Sequence, residues 1–297
     1  MIDAFIRYLR DELAYSPHTV LSYGKDLKEW RAFVAPDSHD FDPCSVTTND
    51  TRAWVATLSR NGLSTSSIKR KLSSVRSLYN FLIKRHGATS NPAANIRINR
   101  RQKPLPKFID RNEMAAVLDT LDEEAFAAND FVSVRNDLII NMLYQTGMRA
   151  SELTALTDER VIMSRNELKV LGKRNKERIV PYGSALAELI EKYINLRPGE
   201  PGGSRPFFTD EDGNELTYNQ LYRVVRQSLD GRVSSPKRSP HVLRHSFATD
   251  MLNEGADLTS VRKLLGHKSL ATTQIYTHVS LNELRENYRK AHPRSKV

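Results

Sequence analysis

The chain has 297 residues, 39% apolar and 27% charged, a composition that fits a globular protein with room for two cores. No apolar run approaches the roughly 18–20 residues needed to span a bilayer, and the N-terminal "MIDAFIRYLRDELAYS" lacks a signal-peptide core, so a cytoplasmic protein with no membrane partner is expected. The net charge of +10 calls for a polyanionic partner, and a single cysteine, Cys44, excludes an intramolecular disulfide and fits a reducing compartment.

The charge is unevenly spread. From Thr51 to Ile109 there is no Asp or Glu, while Lys and Arg run through the window from Arg52 to Lys107. Solvated helix faces usually mix signs, and a long run of one sign repels itself unless phosphates neutralise it. Nucleic acid is therefore the favoured partner before any motif is read.

The first hundred residues read as a compact helical unit. Phe5, Ile6, Leu9 and Leu13 form one helical stripe; Val20, Tyr23, Leu27, Trp30 and Phe33 form a second after the Ser16-Pro17 start signal. A third helix runs from Asn49/Asp50 through Trp54, Val55 and Leu58 to Gly62. The fourth, "STSSIKRKLSSVRSLYNFLIKRHG", places Ile68, Leu72, Val75, Leu78 and Leu82 on one face. Lys69, Arg70, Lys71 and Arg76 are expected off that stripe, projecting outward as DNA contacts with Arg100, Arg101 and Lys103. "NIRINRRQKPLPKF" loses periodicity and carries two prolines, which divides the chain into a helical domain at 1–96, a basic linker at 97–107 and a larger mixed domain at 108–297.

In the second domain "DRNEMAAVLDTL" and "VRNDLIINMLYQTG" read as helices, the latter closed by Gly147. "NELKVLGKRNKERIVPY" reads as a β-hairpin, with Leu168/Val170 and Ile179/Val180 flanking a polar turn. Helices follow at "SALAELIEKYINLR", "TYNQLYRVVRQSL", "HVLRHSFATDMLNEG", "DLTSVRKLLGH" and "LNELRENYRKAH". The expected fold is mainly α with a small β-sheet. No Gly-rich phosphate loop and no cysteine cluster is present, so neither ATP nor a metal is expected as a cofactor.

Five elements of this domain carry polar chemistry. Arg149 starts a helix just past a glycine turn, and Lys173 sits in the hairpin turn. His241 and Arg244 stand at i and i+3, on the same side of a helix. His267 follows Gly266, and Tyr276 lies nine residues on. "TGMRASEL", "GKRNKERIVP", "HVLRHSFAT" and "LLGHKSLATTQIYTH", in this order, resemble the four catalytic blocks of the tyrosine recombinases, the phage integrase family. The resemblance covers almost the whole chain, and its length and terminal "AHPR" are most similar to the Xer-type chromosome-dimer-resolution recombinases.

The resemblance implies an all-α core-binding domain and an α+β catalytic domain that clamp duplex DNA, with Tyr276 as nucleophile. It implies a 3′-phosphotyrosyl intermediate, chromosome dimer resolution or mobile-element integration as the task, and paired half-sites bound by a homo- or hetero-tetramer. A docking C-terminal helix and a septal DNA translocase as a further partner belong to the same expectation. The chemistry of the residues agrees. A phosphodiester is anionic and very slow to react, with enhancements above ~10¹⁷ on record for phosphate esters. Two arginines, here Arg149 and Arg244, can hold the non-bridging oxygens and stabilise the added charge of the transition state, with His267 donating a further hydrogen bond. A tyrosine of pKa about 10 is under ~1% ionised at neutral pH and needs the help of a base, which suits His241. The departing 5′-oxygen needs an acid, a role the resemblance gives to Lys173, with Lys176 second. Arg174 stands where the family often has glycine. Glu152, one turn after Arg149, is either an orienting partner or a surface carboxylate, while His245 and His278 read as structural.

Three other functions compete. A type IB topoisomerase shares the chemistry but religates the same strand. An architectural DNA-binding protein needs no catalytic set. A metal-dependent nuclease could use His241, His245 and His267, though Arg244 would repel the cation.

Overall fold

The computed structural model describes residues 1–36, 41–98, 108–172, 176–199 and 202–266. The chain divides into two compact units, Met1–Pro104 and Leu105–Val297. The described residues are mostly helical with one small sheet, as the sequence implies.

Four helices build the first unit: α1 (Ile2–Arg7), α2 (Pro17–Val34), α3 (Thr48–Arg60) and α4 (Thr65–Arg85). The starts of α2, α3 and α4 are written in the sequence. Ser16 caps α2 with Pro17 in its first turn, Thr47 and Asp50 cap each other's backbone N–H at the start of α3, and Ser64 caps α4. The first stripe is interrupted, because a wider π turn follows α1 at Tyr8–Glu12. Phe5 and Leu9 stay buried while Leu13 is turned out to solvent. Trp30, Trp54, Leu72, Val75 and Leu78 fill the centre.

Helix α4 departs from the sequence reading. It packs against α1, α2 and α3 at once, so its buried arc is wider than one stripe. Lys71 stands three residues after Ile68 and four before Val75, which puts it within the apolar arc. It is 7% exposed and paired with Asp26 and Glu29 of α2. Arg70 also bonds Asp26, itself 1% exposed. Arg76 donates Nε to the Ala93 carbonyl at 2.8 Å and Nη2 to that of Ile96 at 2.5 Å. Lys71 and Arg76 therefore do not project outward as expected; they hold the unit together. Arg70 is partly exposed but paired, Lys69 is half-buried, and Arg52, Arg60, Lys84 and Arg97 are exposed. Arg100, Arg101 and Lys103 lie outside the described residues.

Asp26→Ala is expected to destabilise the protein by about 3 kcal/mol in urea unfolding, because it leaves Lys71 buried with one half-exposed partner. A solvated helix face would keep the change within about 0.5 kcal/mol.

The second unit contains α5 (Arg111–Ala128), α6 (Phe131–Thr146), α7 (Ala150–Thr154), β1 (Val161–Ile162), β2 (Glu167–Gly172), β3 (Lys176–Pro181), α8 (Ser184–Leu196), α9 (Tyr218–Ser228), α10 (Pro240–Asn253) and α11 (Leu258–Leu265). Helix α6 is buried along almost its whole length and packs against α5, α8, α9 and α10. Its polar side chains bond one another along the helix: Asn141 Nδ2 donates to Asp137 at 2.7 Å, and Gln145 Nε2 donates to Asn141 at 2.8 Å. The Tyr144 hydroxyl donates to Asp250 at 2.7 Å, tying α6 to α10.

The sheet is antiparallel in the order β1-β2-β3, with Leu168 opposite Val180 and Val170 opposite Arg178. Among the described residues no helix is long and apolar enough to cross a membrane.

Candidate active site

Gly147 ends α6 in the left-handed conformation at φ +59°. A Cβ there would lie 2.3 Å from Phe247 Cδ1 and 2.8 Å from Leu265 Cδ2. Only glycine allows this turn and lets α10 and α11 close on it. Two residues later, Arg149 is the N-cap residue of α7.

Glu152 answers the question its position raised: it is an orienting partner. It is 7% exposed, accepting Arg149 N at 2.8 Å on Oε2 and Arg149 Nη1 at 2.6 Å on Oε1. The other guanidinium on it is that of Arg178, with Nη1 at 3.0 Å from Oε1 and Nη2 at 2.7 Å from Oε2. Burial alone would raise the Glu152 carboxyl, but the hydrogen bonds and charges of Arg178 and Arg149 outweigh it and hold it below the usual carboxylate range.

Arg244 enters from α10 and is 7% exposed. Its Nη1 donates to the Gly147 carbonyl at 2.5 Å and its Nη2 to that of Leu265 at 2.6 Å. Burial, then the positive charges of Arg149 and Arg178, pull its guanidinium down to about 10, so it stays charged at neutral pH. Arg149 and Arg178 thus share one carboxylate in a largely dry place, with the charge of Arg244 close by. The side chain of Arg149 remains 35% exposed. Such a cluster is built to receive an anion, and planar guanidiniums suit a phosphate held through two oxygens.

His241 lies in the first turn of α10 and is exposed, one turn before buried Arg244; His245 is half-buried. Of the six residues expected to be catalytic, Arg149, His241 and Arg244 are described. Lys173, His267 and Tyr276 lie outside the described residues, as do Arg174, His278 and the C-terminal helix. Lys176 is exposed where β3 begins.

Two features escaped the sequence reading. Arg178 was overlooked, although strand alternation puts it on the face of buried Val170 and Val180. A charge at an inward position signals a buried partner. The segment of α9 was read only as a helix, with no role for its outer face. It exposes Tyr218, Tyr222 and Arg226 along one ridge and Asn219, Arg223 and Gln227 along the next. The two tyrosine rings stack with centroids 6.5 Å apart. Arg, Asn and Gln are the side chains that pair with base edges, and here they share one helix face.

The profile described as "Phage integrase family" matches residues 107–283, and that of the "Phage integrase, N-terminal SAM-like domain" matches residues 2–86. The chain is 38% identical to the tyrosine recombinase XerC of Pelobacter propionicus, with 100% of this chain and 96% of that protein aligned. It is 36% identical to the tyrosine recombinase XerC of Halalkalibacterium halodurans over 99% and 97%. In fold it is similar to the XerH site-specific recombinase in its pre-cleavage complex with difH, at a TM-score of 0.70, 24% identity and coverage of 96% and 82%. The post-cleavage complex of XerH on palindromic difH gives a TM-score of 0.72 at 23% identity, covering 97% and 83%. This chain belongs to the phage integrase family and is a Xer-type tyrosine recombinase, a site-specific enzyme that breaks and rejoins DNA.

Proposed function

We propose that this recombinase resolves chromosome dimers in the cytoplasm, binding duplex DNA at paired half-sites as a tetramer of itself or with a related recombinase. The Tyr276 oxygen attacks the scissile phosphorus, forming a 3′-phosphotyrosyl bond as the bond to the 5′-oxygen breaks. Lys173 delivers the proton to that oxygen, and His241 takes the proton from the tyrosine. The 5′-hydroxyl of another strand then attacks the phosphotyrosine and releases the enzyme. Bond energy is held in the adduct, so no step needs ATP or a metal ion.

The observation that carries this proposal is the pair Arg149 and Arg244. Two of the five N–H groups of Arg244 are fixed on backbone carbonyls, which sets the direction of the rest. With Arg149 they suit the non-bridging oxygens of a phosphate, and His267 adds a further donor. The outer face of α9 supplies base-reading groups. Arg52, Arg60, Lys69, Lys84 and Arg97 supply phosphate contacts, with Arg100, Arg101 and Lys103. The C-terminal helix docks on the neighbouring protomer and closes the ring, and a septal DNA translocase brings the two sites together.

Sequencing the DNA trapped covalently on the protein in cells tests the task. Adducts are expected at one chromosomal locus with two inverted half-sites. Adducts confined to the ends of a mobile element would assign the enzyme to integration and excision instead. Supercoil relaxation without recombinant product would favour the topoisomerase.

A further inference from the structure

Helix α11 ends at Leu265, and its last carbonyls have no partners within the helix. Two arginines from other elements, Arg244 buried and Arg178 largely so, supply partners. Arg244 of α10 donates to the Leu265 carbonyl, and Arg178 of β3 donates Nε to the Leu264 carbonyl at 2.7 Å. Gly266 then turns the chain at φ +63°, and its Cβ position lies 3.4 Å from Arg178 Cδ and Nη1. The next residue in sequence is His267. The same Arg178 guanidinium holds both oxygens of Glu152, which in turn holds the backbone and side chain of Arg149.

We propose that Arg178 is a positioning residue for DNA cleavage. It joins β3, the Arg149–Glu152 pair and the end of α11, and so fixes the orientation of Arg149 and the point from which His267 departs. The proposal rests on the recombinase site described above. Arg178 touches no reacting atom; its side chain is 12% exposed, and its three described hydrogen bonds all go to protein oxygens. Its effect reaches the phosphate through Arg149 and His267. An error of about 1 Å in such positioning can slow a reaction roughly 10²-fold without changing the reacting groups.

The test uses the full-length chain and a nicked suicide duplex on which cleavage traps the covalent adduct. Arg178→Gln is expected to bind a single half-site within about twofold of the parent, and at saturating DNA to form the adduct about 10²-fold more slowly. Glu152, facing Arg149, Arg178 and the charge of Arg244, loses one of its cations while staying buried. Its carboxyl therefore titrates higher, and the rate starts to fall toward acid at a higher pH than in the parent, a shift that the Glu152→Gln/Arg178→Gln double variant loses again. Arg178→Lys keeps the charge but cannot make all three hydrogen bonds. It is expected to recover part of the rate, and it is measured in the same way should the glutamine variant fail to fold. A saturated adduct rate within threefold of the parent, a loss seen only in DNA affinity, or an unchanged pH profile overturns the proposal. A parent that forms no adduct at all overturns the recombinase site itself, and this proposal with it.

Discussion

Tyr276→Phe is expected to lower adduct formation on a nicked suicide duplex by at least about 10⁴-fold, the scale on which loss of a nucleophile acts. Phenylalanine keeps the ring and removes only the oxygen that attacks phosphorus, so half-site affinity and thermal stability should stay close to the parent's. The phenol is a weak nucleophile until it loses its proton, and few other groups in the chain could replace it. Undiminished adduct in the variant would move the nucleophile elsewhere, with Tyr288 the next residue to replace.

Arg244→Lys carries the second large effect. Lysine keeps one positive charge but not the planar fork, so it cannot hold two backbone carbonyls and a phosphate together. Loss of one preorganised donor to a developing oxyanion costs about 10²–10³ in rate, and Arg244 also anchors Gly147 and Leu265. Single-turnover cleavage at saturating DNA should fall at least about 10³-fold. The Gly147 and Leu265 carbonyls lose charged donors, so the melting temperature should fall as well. A variant within tenfold of the parent would show that Arg244 serves the fold rather than the phosphate.

Much of this was legible in the residues. Ser16-Pro17 and Gly147 marked helix ends where the structure has them, because caps are local chemistry, while the start of α3 was placed at Asn49/Asp50 and the Thr47–Asp50 box that sets it at Thr48 was not read. Arg149 at the start of a helix and Arg244 three residues after His241 were likewise visible from spacing. What spacing cannot show is how many neighbours a helix has. Lys71 and Arg76 were read as outward because one stripe was assumed, whereas α4 is wrapped on several sides and Asp26 waits under it. Arg178 was missed for a related reason. Its partners Glu152 and Leu264 lie on separate elements, and only the folded chain brings them to one guanidinium. The stop in the first stripe at Tyr8–Glu12 is a change of helical pitch that periodicity reads straight through.

The covalent adduct is the most direct object to measure. The full-length chain is incubated with the nicked suicide duplex in excess EDTA, the adduct is digested, and the DNA-bearing peptide is sequenced by mass spectrometry. A 3′-phosphotyrosine on Tyr276, formed at the same yield with and without EDTA, is the expected result. DNA cut only when a divalent ion is returned, with no protein attached to either end, would contradict it and restore the nuclease.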